Sequence, residues 1–237
     1  MGMTEKVILS WSGGKDSALA LHVLQRAGNY EILALLTTVT EDYDRISMHG
    51  VRRTLLEAQA ACLGFPLEKV FISNNTTNEE YEAKMREVLE RYLVAGASSV
   101  VFGDIFLEGI REYREDNLSK IEMKGVFPLW GRNTTEVAHT FIGLGFQAVT
   151  TCVDSNALEK RFVGRVFDEQ FLSDLPAAVD PCGENGEFHS FVYDGPTFKE
   201  RVLHTKGEIV LRDNRFYYCD LIPVQVDRRM GEADEVV

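Results

Sequence analysis

Residues 7–18 have the sequence VILSWSGGKDSA, in which an apolar run passes through a loop of small residues into a helix-like run. A strand that ends in such a loop and opens a helix presents backbone N–H groups and the positive helix end to an anion. Two glycines allow close approach to a phosphate, a lysine adds a cation, and two serines add hydroxyl donors. We therefore predict a pyrophosphate cradle formed by Ser12, Gly13, Gly14, Lys15, Asp16 and Ser17.

The spacing of this loop differs from that of the commoner phosphate loop, in which Ser or Thr directly follows Gly-Lys. Here Asp16 separates Lys15 from Ser17, and the two glycines are adjacent. The loop instead resembles the SGGxDS signature of the PP-loop ATP pyrophosphatases, which cleave ATP between its α- and β-phosphates. The alternative is a Gly-Gly turn that carries a solvated Lys-Asp pair.

Composition and charge narrow the function classes. The chain has 237 residues, of which 45% are hydrophobic and 26% charged, as in ordinary globular proteins. A protein with a net charge of −12 repels a polyanion over most of its surface, so we do not expect a nucleic-acid partner. No apolar run is long enough to span a membrane, and the four dispersed cysteines form no Cys-x-x-Cys pair. We expect a cytoplasmic protein with reduced thiols and no membrane partner.

The order of strand and helix patterns predicts the fold. Strands alternate with helical stripes up to about residue 135, which predicts a parallel α/β sheet with ligands at the carboxyl ends of its strands. A further helix is predicted from Leu158 to about Leu175, and a loop and aromatic strands follow from Pro176. We expect an ATP-binding domain over residues 1–135, a smaller α+β substrate-binding domain over residues 136–226 and a frayed tail over residues 227–237.

Two further positions are assigned to the nucleotide half. Asp104 directly follows a predicted strand that ends at Gly103, so its carboxylate is expected at the carboxyl edge of the sheet. There it can hold Mg²⁺ against ATP phosphates or receive a proton, and the alternative is an N-cap for a following helix. Thr37, in the second predicted strand, is assigned to the nucleotide site as well.

Substrate-binding candidates come from two other segments. Residues 127–132, FPLWGR, place an aromatic ring beside a glycine and an arginine ahead of a predicted helix, which suits a flat ligand with a charged end. A buried crossover is the alternative. We assign Trp130, Gly131 and Arg132 to substrate binding. His49 precedes the second helix and is a further candidate, with a cap or surface role as its alternative.

Residues 180–190, DPCGENGEFHS, form the second strong feature of the chain. The glycines allow a tight backbone path that can aim Glu184 and Glu187 into one cavity, and Gly186 is assigned to substrate binding. Such a pair of carboxylates can hold an amine as ammonium and later accept its proton. A solvated acidic turn explains the charges but not the long glycine-punctuated loop.

The SGGKDS loop, the PLWGR stretch and the Cys-Gly-Glu-x-Gly-Glu-Phe run at residues 182–188 together resemble the diphthine–ammonia ligase family of PP-loop proteins. The likeness implies a Rossmann-like fold of the adenine nucleotide alpha hydrolase (HUP) type, with ATP as substrate and Mg²⁺. It also implies that a carboxylate attacks ATP to give an acyl-adenylate and pyrophosphate, after which ammonia displaces AMP. The catalytic residues would be Lys15, Asp104, Glu184 and Glu187.

The third motif departs from the pattern of the diphthine-specific members. Asn185 replaces a glycine, and His189-Ser190 follow Phe188 in place of Glu-Thr, which resembles the bacterial branch of the family. The acceptor is therefore expected to be a small-molecule or protein-borne carboxylate, diphthine or another. Two other functions stay open, a PP-loop tRNA-modifying enzyme and a non-catalytic ATP-binding module. We expect free ammonia as the nitrogen source, and an exposed strand edge in the second half could pair two copies.

Overall fold

The computed structural model describes residues 4–47 and 49–224, so the predicted tail over residues 227–237 lies outside the described residues. The strands are β1 Glu5–Ser10, β2 Tyr30–Thr40, β3 Arg45–Ile46, β4 Leu67–Ile72, β5 Ser99–Val101, β6 Lys124–Val126, β7 Gln147–Asp154, β8 Phe188–Asp194, β9 His204–Arg212 and β10 Phe216–Pro223. The helices are α1 Lys15–Ala27, α2 Arg53–Leu63, α3 Asn78–Val94, α4 Glu108–Ser119, α5 Thr134–Gly143 and α6 Glu169–Asp174. Short 3₁₀ turns occupy Glu41–Tyr43 and Lys160–Phe162.

The first sheet contains five parallel strands in the order β4-β2-β1-β5-β6. The short strand β3 pairs antiparallel with the last residues of β2. Chain order runs outward from β1 in both directions, so the strand order reverses between β1 and β5. In open parallel sheets, ligands bind at the carboxyl ends of the strands at this reversal point. The predicted α/β class is confirmed, and the loop that follows β1 lies where this rule puts a ligand.

Helices pack on both faces of the first sheet. Successive residues of a strand point to opposite faces, so one strand contributes side chains to both cores. Val7 and Leu9 of β1 belong to the core that includes the apolar faces of α1 and α2. Ile8, between them, belongs to a second core with Val88 of α3 and Leu118 of α4. All three β1 residues are fully buried, so the start of the loop that follows β1 is anchored from both sides.

The second sheet is antiparallel, with the strand order β8-β7-β10-β9. Its buried face belongs to the same core as α1 and α2, so one continuous apolar core joins the two sheets. Aromatic rings dominate this region, including Phe141, Phe162, Phe167, Phe171, Phe188 and Phe191, each at most 2% exposed. β9 forms an edge of this sheet, and pairing of two copies there stays a prediction.

The helix predicted from Leu158 to Leu175 is wrong. The chain there forms one 3₁₀ turn, then an extended segment in which Val166 bridges to Val149, and then the six-residue helix α6. Gly164 has a φ of +76°, which ends any right-handed helix at that point. The aromatic spacing that suggested a helix reflects burial of the rings in the shared core, not a helical period.

Candidate nucleotide and acyl-transfer site

A cavity of about 460 Å³ opens at the carboxyl ends of β1, β2 and β5, under the loop that precedes β8. It brings together ten of the residues singled out from the sequence. They are Ser12, Gly14, Lys15, Asp16, Ser17, Thr37, His49, Asp104, Glu184 and Gly186. Gly13, Glu187, Trp130, Gly131 and Arg132 are not among its lining residues.

The loop between β1 and α1 is held by its own hydroxyl groups and by a close backbone approach. Ser17 Oγ donates to the Gly14 carbonyl oxygen at 2.9 Å, and the Gly14 N–H donates to Ser12 Oγ at 3.2 Å. Gly14 provides no side-chain cap to the first turn of α1. Gly13 has a φ of +79°, and a Cβ there would lie 2.6 Å from Leu56 Cδ1. The loop therefore needs glycine at position 13, although Gly13 lies behind the cavity wall.

Lys15 supplies the cation of this loop. Its Nζ lies 2.8 Å from Asp16 Oδ2 and also donates to the Cys182 carbonyl oxygen in the loop before β8. Burial alone would lower the pKa of this amine, but the charge of Asp16 and other nearby acidic groups raises it above its usual value. The pKa of Asp16 is raised by burial, against the opposing effect of Lys15. An ammonium group is therefore held ready at the end of β1.

Asp104 lies on the cavity wall beyond β5 and forms an ion pair with Arg114. Its Oδ2 lies 2.8 Å from Arg114 Nε, and the Arg114 guanidinium stacks on the Phe102 ring at 4.3 Å. Helix α4 begins at Glu108 with Leu107 as its N-cap, so the alternative of a capping role for Asp104 is wrong. The predicted position at the carboxyl edge of the sheet is confirmed.

Glu184 connects the loop before β8 to the end of β5. Its Oε1 accepts hydrogen bonds from the backbone N–H of Ile105 at 2.7 Å and of Phe106 at 3.4 Å. Burial raises the pKa of this carboxyl group to about 7, although the two N–H donors act in the opposite direction. Glu184 can therefore exchange a proton near neutral pH while it lines the cavity.

Glu187 does not converge with Glu184 on the cavity, contrary to the prediction from the loop. Its Oε1 accepts hydrogen bonds from the Asp180 N–H at 3.1 Å and from Asn185 Nδ2 at 3.0 Å. Gly186, with a φ of +86°, turns the chain back so that the Glu187 side chain is buried inside its own loop. The contacts of Glu187 hold the loop closed.

The predicted substrate-binding residues Trp130, Gly131 and Arg132 do not line the cavity. Their segment, Phe127–Arg132, instead contacts residues that lie next to the cavity wall. The Arg111 guanidinium lies 4.7 Å from the Trp130 ring and 4.8 Å from the Phe127 ring. The Gly131 N–H donates to the Ile105 carbonyl oxygen at 2.8 Å. The segment thus fixes the chain at Ile105, whose own N–H holds Glu184.

Two histidine rings stack on the cavity wall, and the sequence interpretation identified only one of them. The rings of His49 and His189 have centroids 4.4 Å apart at an angle of 36°. His49 Nδ1 is buried and has no hydrogen-bond partner among the described residues. Position 189 directly follows the acidic loop at the start of β8, and this was the available signal.

Gln59 joins the loop between β1 and α1 to the second sheet, and sequence reasoning missed it. Its Oε1 accepts from Trp11 Nε1 at 2.7 Å, while its Nε2 donates to the carbonyl oxygens of Gly13 at 3.0 Å and Val192 at 2.5 Å. The Val192 N–H in turn donates to Gly13 O at 2.9 Å. A fully buried glutamine gave no sequence signal beyond its place on an apolar helix face.

Among residues 4–47 and 49–224, no group of three or more His, Cys, Asp or Glu side chains is arranged to hold a metal ion. None of the helices in the same part of the chain is long and apolar enough to cross a membrane.

Family models and known relatives agree with this geometry. The model of the diphthamide synthase N-terminal domain matches residues 5–124, just over half of the chain, and that of the C-terminal domain matches residues 133–221. A diphthine–ammonia ligase from Schizosaccharomyces pombe is 25% identical over 224 residues, which cover 86% of this chain but 37% of that protein. The diphthine–ammonia ligase from Bos taurus is 24% identical over 224 residues, with 84% of this chain and 82% of that protein covered.

Among solved structures, the U34-tRNA thiolase NcsA from Methanococcus maripaludis matches part of this chain. It aligns with a TM-score of 0.36 and 18% identity over 61% of this chain and 59% of that chain. The two domain models match in sequence order and together span both sheets. The chain therefore belongs to the diphthamide synthase family.

Proposed function

We propose that the protein is an ATP-dependent amide ligase that adenylates a carboxylate, releases pyrophosphate and then transfers the acyl group to ammonia with release of AMP. The observation that carries this proposal is the position of Lys15. Its buried ammonium group lies at the reversal point of a parallel sheet, in a glycine loop that opens a helix. The names of the relatives, diphthine–ammonia ligases, support the same reaction class.

The chain's own groups fit the first half of the reaction. Backbone N–H groups at the start of α1, the hydroxyls of Ser12 and Ser17, and Lys15 surround the place proposed for the β- and γ-phosphates. Charge builds up on the bridging oxygen as the α–β bond opens, and preorganised donors of this kind stabilise it. Thr37, which is buried on β2, lies on the same cavity and is proposed to contact the nucleotide.

Magnesium fits this site as a companion of the nucleotide. Asp104 Oδ2 is buried, forms an ion pair with Arg114 and has no hydrogen-bond partner within residues 4–47 and 49–224. We propose that Asp104 supplies one oxygen ligand while phosphates and water supply the others, as Mg²⁺ commonly requires. The ion would neutralise phosphate charge in the bound nucleotide.

The acceptor and the cellular setting belong to the proposal as well. Diphthine is the acceptor named for the relatives, and we propose a protein-borne or small carboxylate of this kind, with free ammonia as nitrogen source. We propose two domains, over residues 1–135 and 136–226, with the cavity between them. We also propose a reducing, cytoplasmic setting, because the four cysteines lie far apart in the sequence and are all buried.

The test is product analysis. Purified protein is incubated with ATP, ammonium chloride and a panel that contains a diphthine-bearing peptide and small mono- and dicarboxylic acids. The proposal expects acid-dependent release of AMP and pyrophosphate in equal amounts with at least one member. Formation of ADP and phosphate, or no acid-dependent turnover with the whole panel, would contradict it.

A further inference from the structure

Two of the carboxylates on the cavity wall are paired with cations, and a third accepts backbone N–H groups on one of its oxygens. Asp16 holds Lys15, Asp104 holds Arg114, and Glu184 accepts two backbone N–H groups. The other acid expected to receive ammonia, Glu187, lies inside its own loop. An amine that attacks the acyl group must lose a proton. A protein group nearby therefore needs a free lone pair that can accept this proton.

The described wall offers such a lone pair on His189. Its ring lines the cavity next to the phosphate-binding loop, and no side-chain hydrogen bond to it is found among the described residues. Its neighbour Ser190 accepts the Lys15 backbone N–H on Oγ at 3.2 Å, so the backbone at this point is tied to the cradle. The ring of His49 stacks against His189 and fixes its plane.

Both rings are neutral at physiological pH. Burial, together with the positive charge of Lys15, lowers the pKa of His189 to about 4. Burial also lowers the pKa of His49, with smaller effects in the same direction from His189 and Lys15 and an opposing effect from the Ser190 backbone. A neutral imidazole keeps a free lone pair, and it lines the same cavity as Glu184, whose pKa is raised to about 7.

We propose that His189 is the catalytic base for the amine in the second half-reaction, and that His49 is the residue that positions it. This inference rests on the proposed amide ligase function. It gives the proton of the amine a destination on a neutral imidazole that lines the cavity.

The ammonia nitrogen uses its lone pair to form the C–N bond with the acyl carbon of the adenylate. The tetrahedral adduct then carries a positively charged nitrogen, which gives one proton to the free ring nitrogen of His189. The carbon–oxygen bond to the phosphate breaks, and its electron pair leaves with AMP. The imidazolium finally returns its proton to water.

The experiment compares two nucleophiles in the full-length protein. With the panel acid that releases most AMP, wild type and His189→Asn are assayed for carboxamide with ammonium chloride and for hydroxamate with hydroxylamine. Hydroxylamine is a stronger nucleophile and is largely unprotonated at pH 7, so it depends less on a base. We expect His189→Asn to lose about 10²-fold or more in carboxamide formation, while hydroxamate formation changes by less than about threefold.

His49→Asn is expected to show the same selective loss on a smaller scale, about tenfold, because it acts through His189. His139→Asn is the matched control, since His139 is half exposed on α5 and pairs with Glu169. ATP binding by calorimetry is measured for each variant and is expected to match that of wild type.

Three results would overturn the inference. One is unchanged carboxamide formation in His189→Asn, and another is an equal loss with both nucleophiles while ATP still binds. The third is loss of ATP binding in both His189→Asn and His189→Gln, because His189 would then serve the fold of the cradle. If wild type releases no AMP with any acid, the proposed function itself fails, which is a separate and recognisable outcome.

Discussion

We propose that Lys15 has both a structural and a catalytic role, which one buried ammonium group fulfils. Its contacts with Asp16 and the Cys182 carbonyl oxygen tie the cradle to the second half of the chain. Lys15→Met leaves the Asp16 carboxylate without its cation, so we expect about 2 to 4 kcal/mol less stability, at the lower end because Asp16 is partly exposed. Turnover is expected to fall by about 10²- to 10³-fold.

Urea unfolding separates the two duties of Lys15. The double variant Lys15→Met, Asp16→Asn removes both charges, so it is expected to recover much of the lost stability while turnover stays low. If the double variant is no more stable than the single one, the buried ion pair is not what the lysine contributes to folding.

The raised pKa of Glu184 predicts that the free energy of unfolding depends on pH. Its folded-state pKa of about 7 lies above the usual 4.5, so between these values the folded protein holds a proton that the unfolded chain has released. The stability contributed by this group is therefore full below pH 4.5 and is lost as the pH rises to 7. Glu184→Gln has no such group and keeps an oxygen that can accept the Ile105 N–H.

We therefore expect the difference in unfolding free energy, wild type minus Glu184→Gln, to decline between pH 4.5 and 7. Chemical denaturation at a series of pH values measures it. A difference that stays constant over that range would contradict the assignment of the raised pKa.

At the scale of elements, the loop between β1 and α1 depends on one close approach. Gly13→Ala is strained by its φ of +79° and would also bring a Cβ to 2.6 Å from Leu56 Cδ1. Gly28→Ala, at the end of α1, has a similar φ of +71° but no atom within 4 Å. We expect a loss of about 1 kcal/mol for Gly28→Ala and about 3 kcal/mol for Gly13→Ala.

Thermal unfolding measures the stability of both glycine variants, and a binding assay measures their affinity for ATP. Gly13→Ala is also expected to weaken ATP binding, whereas Gly28→Ala is not, because Gly28 lies at the other end of the helix. Equal losses of stability in the two variants would mean that backbone conformation, and not the contact with Leu56, sets the requirement for glycine.

The elements differ in how far the sequence could predict them. The unit around Ser12–Ser17 was predictable because apolar run, glycines and helix pattern all point to one local structure. The stretch from Leu158 to Leu175 was not, since Phe162, Phe167 and Phe171 are spaced by contacts across the shared core and not along one helix. The three-residue strand β6 is too short to leave a periodic pattern.

At the scale of the whole molecule, the two halves meet through Gln59. Gln59→Leu keeps the volume but leaves the Trp11 N–H and the Val192 carbonyl oxygen without their buried partner. We expect a loss of about 2 to 4 kcal/mol and weaker ATP binding, because Gly13 loses the same support. Gln170→Leu, on the exposed side of α6, is the control and is expected to stay near wild type in urea unfolding.

The same scale explains which site residues sequence reasoning could not identify. Asp104 and Glu184 were found because each lies next to a glycine-rich or strand-ending signal. The positions of His189, Gln59 and Trp130 depend on contacts between distant segments, such as the contact of the Arg111 guanidinium with the Trp130 ring. These contacts form only when distant segments pack together in the folded core, so the local sequence does not show them.

The proposed function depends most on where the nucleotide phosphates bind, and a crystal structure with α,β-methylene-ATP tests this directly. The analogue resists cleavage between its α- and β-phosphates, so it should remain intact in the cavity. We predict that its β- and γ-phosphates contact the backbone N–H groups of residues 13–17 and Lys15 Nζ. Electron density for these phosphates away from that loop would contradict the proposed function.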